Sequence, residues 1–402
     1  MAETLQSVEA ALDALLKDIV PIGSEILPSD QAAGRVLASP VAARIDVPPF
    51  DNSAMDGYAL RSEDAGQVLP VSQRIAAGHA GEPLSPGSCA RIFTGGAIPS
   101  GADCVVMQER TEVHPEGVFI PPDVPVGDNV RRRGRDVKAD SILLRAGTRL
   151  EAAALGQLAG QGVTEVEVRQ RPRIALLSTG DEVIAPGETL RQGQIYNSNR
   201  PMLVRLLERF GAEVVMAESV PDDYSATCKR LQSAAEAADV VITTGGVSVG
   251  EEDHVRAALL SLGQLDMWRL AMRPGKPLAI GRIPHDLGEA RFVGLPGNPV
   301  SSFVGAWLFL RPLMGALLAC PALEALPCLT ARSDFATRTQ ARRHYMRIKL
   351  SFDEKGATAS AYADQNSAVL SSCVEANAFA VIPANSEIAV GDPVKCLWLV
   401  ET

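Results

Sequence analysis

The chain is short of aromatic side chains: Phe, Trp and Tyr make up 4% of its 402 residues. Stacking platforms for single-stranded nucleic acid find little support in that composition. Basic charge is not in excess either, since 38 Lys and Arg stand against 48 Asp and Glu, leaving −10. A domain-wide surface for duplex DNA is excluded on that balance, and no nucleic-acid partner is expected. The seven cysteines, at 89, 104, 228, 320, 328, 373 and 396, include no C-x-x-C pair. An odd, scattered set of this kind argues against a disulfide framework or a structural zinc site. The five histidines form no metal-type pair, and no Ser/His/Asp arrangement is visible. Uninterrupted apolar runs of about 20 residues are absent, so no membrane span is expected. The N-terminal residues lack the basic and apolar blocks of a signal peptide, which predicts a cytoplasmic protein. Internal repeats and low-complexity tracts are missing as well.

What is present is a change of rhythm along the chain. Leu5, Val8, Leu12, Leu15, Leu16 and Ile19 recur at helical spacing, with Ser7 as a candidate cap. Residues 46–140 are rich in Gly and Pro with short alternating apolar runs such as Cys104–Met107, which predicts a β-rich module. The stretch Ala152 to Leu158 reads as a helix that returns to the N-terminal one. The β-rich module is then an insertion into a discontinuous domain of residues 1–45 and 141–170. From 171 to 322, buried-strand candidates alternate with helical segments: Ile174–Leu177, Met202–Phe210, Val214–Met216, Ser225–Ala237 and Asp239–Ile242. A long apolar helix follows from Val300 to Leu318. This alternation implies a doubly wound parallel sheet with helices on both faces, binding its ligand beyond the strands' carboxyl ends. Residues 323–402 read as a small β-barrel or sandwich.

Five segments or clusters carry chemistry. The Gly-rich segment Thr243 to Asp253 follows a strand, so backbone N–H groups at Gly245 and Gly246, with the Ser248 hydroxyl, suit an anion. It lacks the Gly-Lys-Ser/Thr ending of a Walker A loop, and a tight glycine turn would look the same. Acidic residues recur at loop positions, among them Asp136, Asp181, Glu182, Asp222, Asp223 and Asp253. Converging carboxylates suit Mg²⁺, although solvated charge at helix N-termini is the plainer reading. Arg269, Arg273 and Lys276 surround a Pro-Gly kink and can hold an oxyanion or phosphate. Pro296 and Pro299 stiffen a turn before the long helix. Asp56, within Asn52–Ala59, is either a ligand or a turn residue.

In this order, the segments resemble the molybdopterin molybdenumtransferase family, which includes the E domain of gephyrin. The likeness rests on Pro48–Ala59, Arg91–Gly96, Arg131–Asp136, Ser178–Glu182 and Gly193–Asn199. It continues through Thr244–Asp253, Pro274–Pro277 and Leu295–Pro299. It implies a multidomain α/β plus β protein: a three-layer α/β molybdopterin-binding domain, an inserted β-rich domain and a C-terminal β-barrel. It also implies a homodimer whose cleft is completed by the inserted domain of the other subunit. The reaction implied joins molybdate and adenylylated molybdopterin, with Mg²⁺, to give molybdenum cofactor and AMP. On this resemblance Glu182, Asp223 and Asp253 serve the metal and phosphate end. Ser248, Arg269, Arg273 and Lys276 hold molybdate, and Pro296 and Pro299 shape its loop. Asp56, Thr94 and Asp136 complete the cleft across the dimer. Arg269 and Arg273 stand where the family often carries lysine, and Arg347 and Ser367 are the C-terminal candidates. Molybdopterin adenylyltransferase and recipient molybdoenzymes are the implied partners.

Two other readings compete. An enzyme of the preceding adenylylation step shares the α/β core but lacks the inserted and C-terminal domains. A scaffold protein would use the same fold without the chemistry.

Overall fold

The computed structural model describes residues 5–246 and 254–399. Ser248 and Asp253 lie outside the described residues.

The central sheet comes first because it positions the cleft. In chain order its strands are β1 (Arg173–Thr179), β2 (Glu213–Val220), β3 (Val240–Thr244), β4 (Gln264–Arg269), β5 (Pro277–His285) and β6 (Gly288–Leu295). The spatial order is β2-β1-β3-β6-β5-β4. The first four are mutually parallel, whereas β5 is antiparallel to β6 and β4 to β5. The sheet is therefore mixed, not wholly parallel as its alternation predicts. The reason is local: Asp286 and Leu287 separate β5 from β6, and so short a connection permits only an antiparallel return.

Alternation of side chains builds the three layers. Ile174, Leu176, Val240, Ile242 and Val293 point to one face, where they meet α1 (Asn199–Arg209) and the helical run Pro299–Leu318. Ala175, Leu177, Val241 and Phe292 point to the other, against α2 (Tyr224–Ala237) and α3 (His254–Leu262). The run Pro299–Leu318 is long and apolar enough to cross a membrane, but 83% of it is buried inside this protein. Here it serves as the central core helix.

The N-terminal helix spans Val8–Leu16, and the Ser7 hydroxyl accepts from Ala10 N–H as its cap. Its buried residues Val8, Ala11 and Leu15 join the α/β core. Residues 152–158 are helical within Ala152–Gly160, yet that helix does not return to the N-terminal one. Leu158 packs instead with Ala32, Leu37, Leu150 and Val166, beside the antiparallel pair Ser24–Pro28 and Glu165–Arg169. The apolar period fixes that a helix is amphipathic, but not which partner its face meets.

Two crossings join this layer to the β-rich module, at Val41–Ala42 with Ile142–Leu144 and at Val47 with Val137. The module holds a four-stranded and a three-stranded sheet around Tyr58, Leu60, Cys89, Cys104 and Val106. At the other end, strands Cys328–Ser333, Arg343–Asp353, Gly356–Ala361, Ala378–Ile382 and Pro393–Trp398 close into a five-stranded barrel. The short strand Met272–Arg273 leaves the α/β layer to pair with Arg343 and His344 of that barrel.

Candidate active site

A cleft of about 480 Å³ lies beyond the carboxyl ends of β1, β3 and β6. Glycines make room for it. Gly245 turns the chain after β3 with φ +93, and a Cβ there would meet Thr179 Oγ1 at 2.8 Å. Its N–H donates to Leu295 O, which ties the ends of β3 and β6 together. Gly180 takes φ +117, and a Cβ on it would sit 2.4 Å from Glu182 Oε2. Glycine thereby lets the Glu182 carboxylate fold back at the end of β1, where Glu182 lines the cleft.

The other acidic candidates are placed differently. Asp223 caps α2, its Oδ1 accepting from Ala226 N–H at 2.7 Å. Asp181 and Asp222 clasp each other through backbone N–H to carboxylate bonds of 3.3 and 3.1 Å. Among the described residues, no group of three His, Cys, Asp or Glu side chains gathers as a metal site.

The cationic candidates lie on the seam between sheet and barrel. Leu270 N–H donates to Lys276 O, closing the kinked turn, and Arg269 is joined through its backbone to Gln6. Gly275, at φ +86, packs on Ser301, so this turn abuts the 296–301 segment. Pro296 O accepts from Ser302 Oγ, and Pro299 lines the cleft. The barrel adds Arg347, fully buried, whose Nε donates to Ser372 Oγ at 3.0 Å and Nη2 to Asn366 O at 3.1 Å. Its Nη1 has no partner among the described residues. Burial draws its pKa down, and the Arg273 charge adds to that. Ser367 O accepts from Val300 N–H, docking this barrel segment onto the start of the long helix beside the cleft. His344 is also buried, and its pKa is pushed down to about 3 by burial and by Arg273, Arg347 and Arg342.

Asp56 and Thr94 come together in the β-rich module. Thr94 N–H is the largest influence lowering the Asp56 pKa, followed by the Thr94 hydroxyl and the Arg91 charge. Asp136 sits at the crossing, its N–H donating to Val47 O. None of these three lines the cleft of the same chain.

Sequence reasoning passed over two cleft residues. Asn197 and Asn199 are 3% and 8% exposed, and each has one polar amide atom with no partner among the described residues. An unpaired buried polar group costs about 1–3 kcal/mol, so such a pair inside a cleft is informative. The signal lay within the segment Gly193–Asn199, but amide roles emerge only from the hydrogen bonds that orient them.

Comparison with known proteins follows the same divisions. Residues 6–162 match the MoeA N-terminal region (domain I and II), 175–316 the probable molybdopterin binding domain, and 330–399 the MoeA C-terminal region (domain IV). A molybdopterin molybdenumtransferase of Synechococcus elongatus is 35% identical over 408 aligned residues, covering 97% of this chain and 98% of the relative. The chain belongs to the molybdopterin molybdenumtransferase family. The Haemophilus influenzae molybdopterin molybdenumtransferase is 40% identical over 301 residues, 74% of either chain. The crystal structure of a molybdopterin biosynthesis MoeA protein from Pyrococcus horikoshii superposes with TM-score 0.84 at 28% identity, covering 98% of this chain and 100% of that one. This molybdenumtransferase is thus an enzyme of molybdenum cofactor biosynthesis. Its inserted module and barrel separate it from a bare α/β adenylylating enzyme.

Proposed function

We propose that the enzyme inserts molybdate into adenylylated molybdopterin and releases AMP, in a Mg²⁺-dependent reaction in the cytoplasm. Arg347 carries this reading. A guanidinium with no exposure, fixed by Ser372 and Asn366 and with no partner for Nη1 among the described residues, is a buried positive charge that favours an anion bound nearby. Arg273 and Lys276 stand on the same seam, and a tetrahedral oxyanion such as molybdate satisfies donors of that kind. Ser248, outside the described residues, and Arg269 are assigned to the same substrate on the resemblance alone.

The pyrophosphate of the adenylate belongs at the cleft beyond the sheet, where Gly245 and Gly246 offer backbone close to the ligand. Mg²⁺ binds oxygen and is commonly held by one or two carboxylates together with substrate phosphates. Glu182 offers one such carboxylate on the cleft wall. That donor set fits an ion shared with the substrate, which would neutralise charge on the leaving phosphate. Asp223 and Asp253 are the remaining metal candidates.

The enzyme acts as a homodimer in this proposal, with Asp56, Thr94 and Asp136 completing the neighbouring cleft. Support comes from their not lining the cleft of their own chain and from the paired arrangement of Asp56 and Thr94. Molybdopterin adenylyltransferase would deliver the substrate, and apo-molybdoenzymes would take the product.

The test is AMP release from adenylylated molybdopterin and Mg²⁺, with and without molybdate. Molybdate-dependent release with cofactor formation is expected. No AMP under either condition, with substrate still bound, would favour a scaffold role instead.

A further inference from the structure

A separate cavity, of about 190 Å³, lies where the N-terminal layer around Leu37 and Leu150 meets the α/β domain. Three parts of the chain wall it. The turn at Gly34 and Arg35 stands on one side with Arg149, whose Nη2 lies 3.9 Å from where a Cβ on Gly34 would sit. Arg171, in the link between the strand Glu165–Arg169 and β1, stands on another. The ends of α1 and of the long helix close it at Glu208 and Leu318. None of these residues lines the cleft beyond the sheet.

Charge on this wall is unbalanced. Three arginines face one acid, Glu208, which is itself paired with Arg205 at 3.5 Å. Arg35 is fixed by Nη2, which donates to Glu25 and, at 2.7 Å, to Arg169 O. Its side chain is 10% exposed, and its Nε and Nη1 have no partner among the described residues. Arg149 pairs with Glu151 at 3.0 Å. Arg171 is exposed and makes no ion pair or side-chain hydrogen bond among the described residues. Deeper in the seam, Arg311 is buried, its Nη1 and Nη2 donating to Leu323 O and Ala322 O at 2.8 and 2.6 Å. Burial draws the Arg311 pKa down, and the Arg149 and Arg209 charges add to that. Positive charge therefore accumulates here beyond what Glu25 and Glu151 offset.

We propose that this cavity is a second anion site, taking a small tetrahedral oxyanion of the phosphate or sulfate type. Guanidinium forks bind such oxygens through paired N–H bonds. The volume is below the roughly 300–1,000 Å³ of pockets that take drug-sized ligands, which suits an inorganic ion and not a nucleotide or a pterin. An ion held between Arg35 and Arg171 ties the N-terminal layer to the link that enters β1. It also relieves the repulsion among the arginines of the seam.

Melting of the intact enzyme is followed in inorganic phosphate and in sulfate, each against chloride at matched ionic strength, and affinities are read by calorimetry. The cleft has cations of its own, so every measurement is made in Lys276→Ala as well as in the wild type. At saturation the preferred oxyanion should raise the melting temperature by about 2 °C or more in both proteins. The stronger of the two arms names the ion. Adding Arg171→Ala to either protein should weaken binding by about 10-fold, since this exposed side chain holds no other described group. Arg35→Lys keeps a charge beside Glu25 but loses the fork, and should weaken binding too. Chloride stabilising as much as either oxyanion would reduce the effect to screening and overturn the proposal. Oxyanion binding that vanishes in Lys276→Ala, or that is unchanged by Arg171→Ala and Arg35→Lys, would place the ion in the cleft and overturn it equally.

Discussion

Thr94 closes twice on one oxygen of Asp56: its backbone N–H and its hydroxyl both donate to Oδ1 at 2.8 Å. Arg91 reinforces the arrangement, stacked over Phe93 and Tyr58 with its Nη1 donating to Gly57 O. So much organisation around a half-buried carboxylate that does not line its own chain's cleft fits the proposed use by a second chain. Asp56→Ala and Glu182→Ala should each abolish AMP release as pure proteins. Subunits exchanged between the two variants should regain activity, because one cleft of each mixed dimer combines an intact Glu182 with an intact Asp56. A mixture that stays as inactive as its parents would show that each cleft is built from a single chain.

For Asp223 the proposed metal role can be separated from the helix cap. Its bond to Ala226 N–H makes the capping role certain. Asp223→Ala should cost about 1 kcal/mol of stability, whereas Asp223→Asn keeps the cap and most of that stability. Thermal melting reads the first effect. The Mg²⁺ dependence of AMP release reads the second: if Asp223→Asn needs no more Mg²⁺ than the wild type, the residue is a cap and nothing more.

The layers of the central domain were legible because alternating apolar positions fix both faces of a buried strand. Ile174 and Leu176 against Ala175 and Leu177 are enough to require helices above and below. The β5–β6 return was not legible, since Phe292–Gly294 reads equally well as a parallel or an antiparallel strand until its neighbour is known. The turn at Gly245 was legible because glycine beside a strand end has a steric meaning, whereas Glu182 was named as one of the acidic residues at loop positions and through the family resemblance. Asp56 and Thr94 were named through the family resemblance, and their mutual bond could not be read across a separation of 38 positions. The Asn197 and Asn199 pair escaped for a different reason. A polar residue near a helix start looks like a cap, and its unpaired atom is defined only by bonds to Arg200 and to the distant Gly297.

Gly180 offers a test of how tightly the Glu182 carboxylate is held. With φ +117 and Glu182 Oε2 at 2.4 Å from the missing Cβ, Gly180→Ala must move either the backbone or the carboxylate. The loop is at the surface, so a modest stability loss of about 1 kcal/mol is expected. Activity should fall far more, by about 10-fold or beyond, if Glu182 handles phosphate as proposed, because a displacement near 1 Å at such a carboxylate is costly. Equal losses in melting temperature and in rate across a pH and Mg²⁺ series would instead mark Gly180 as a folding residue only.

His344 makes the enzyme sensitive to acid. Burial, with Arg273, Arg347 and Arg342 behind it, depresses its pKa from 6.5 to about 3. The folded protein therefore holds the ring neutral, while the unfolded chain takes up a proton below pH 6.5. Stability from this group is complete above that value and is lost as pH falls from about 6.5 toward 3. At pH 5 the loss amounts to about 2 kcal/mol, given 1.36 kcal/mol per pH unit over the interval. His344→Gln removes the titration, so its melting temperature should fall less than that of the wild type between pH 7 and pH 5. A bound oxyanion near Arg273 and Arg347 offsets the charge that holds His344 neutral, so molybdate should shrink the wild-type drop as well. Parallel melting curves for wild type and His344→Gln over that range would mean the ring is not shielded as its burial requires.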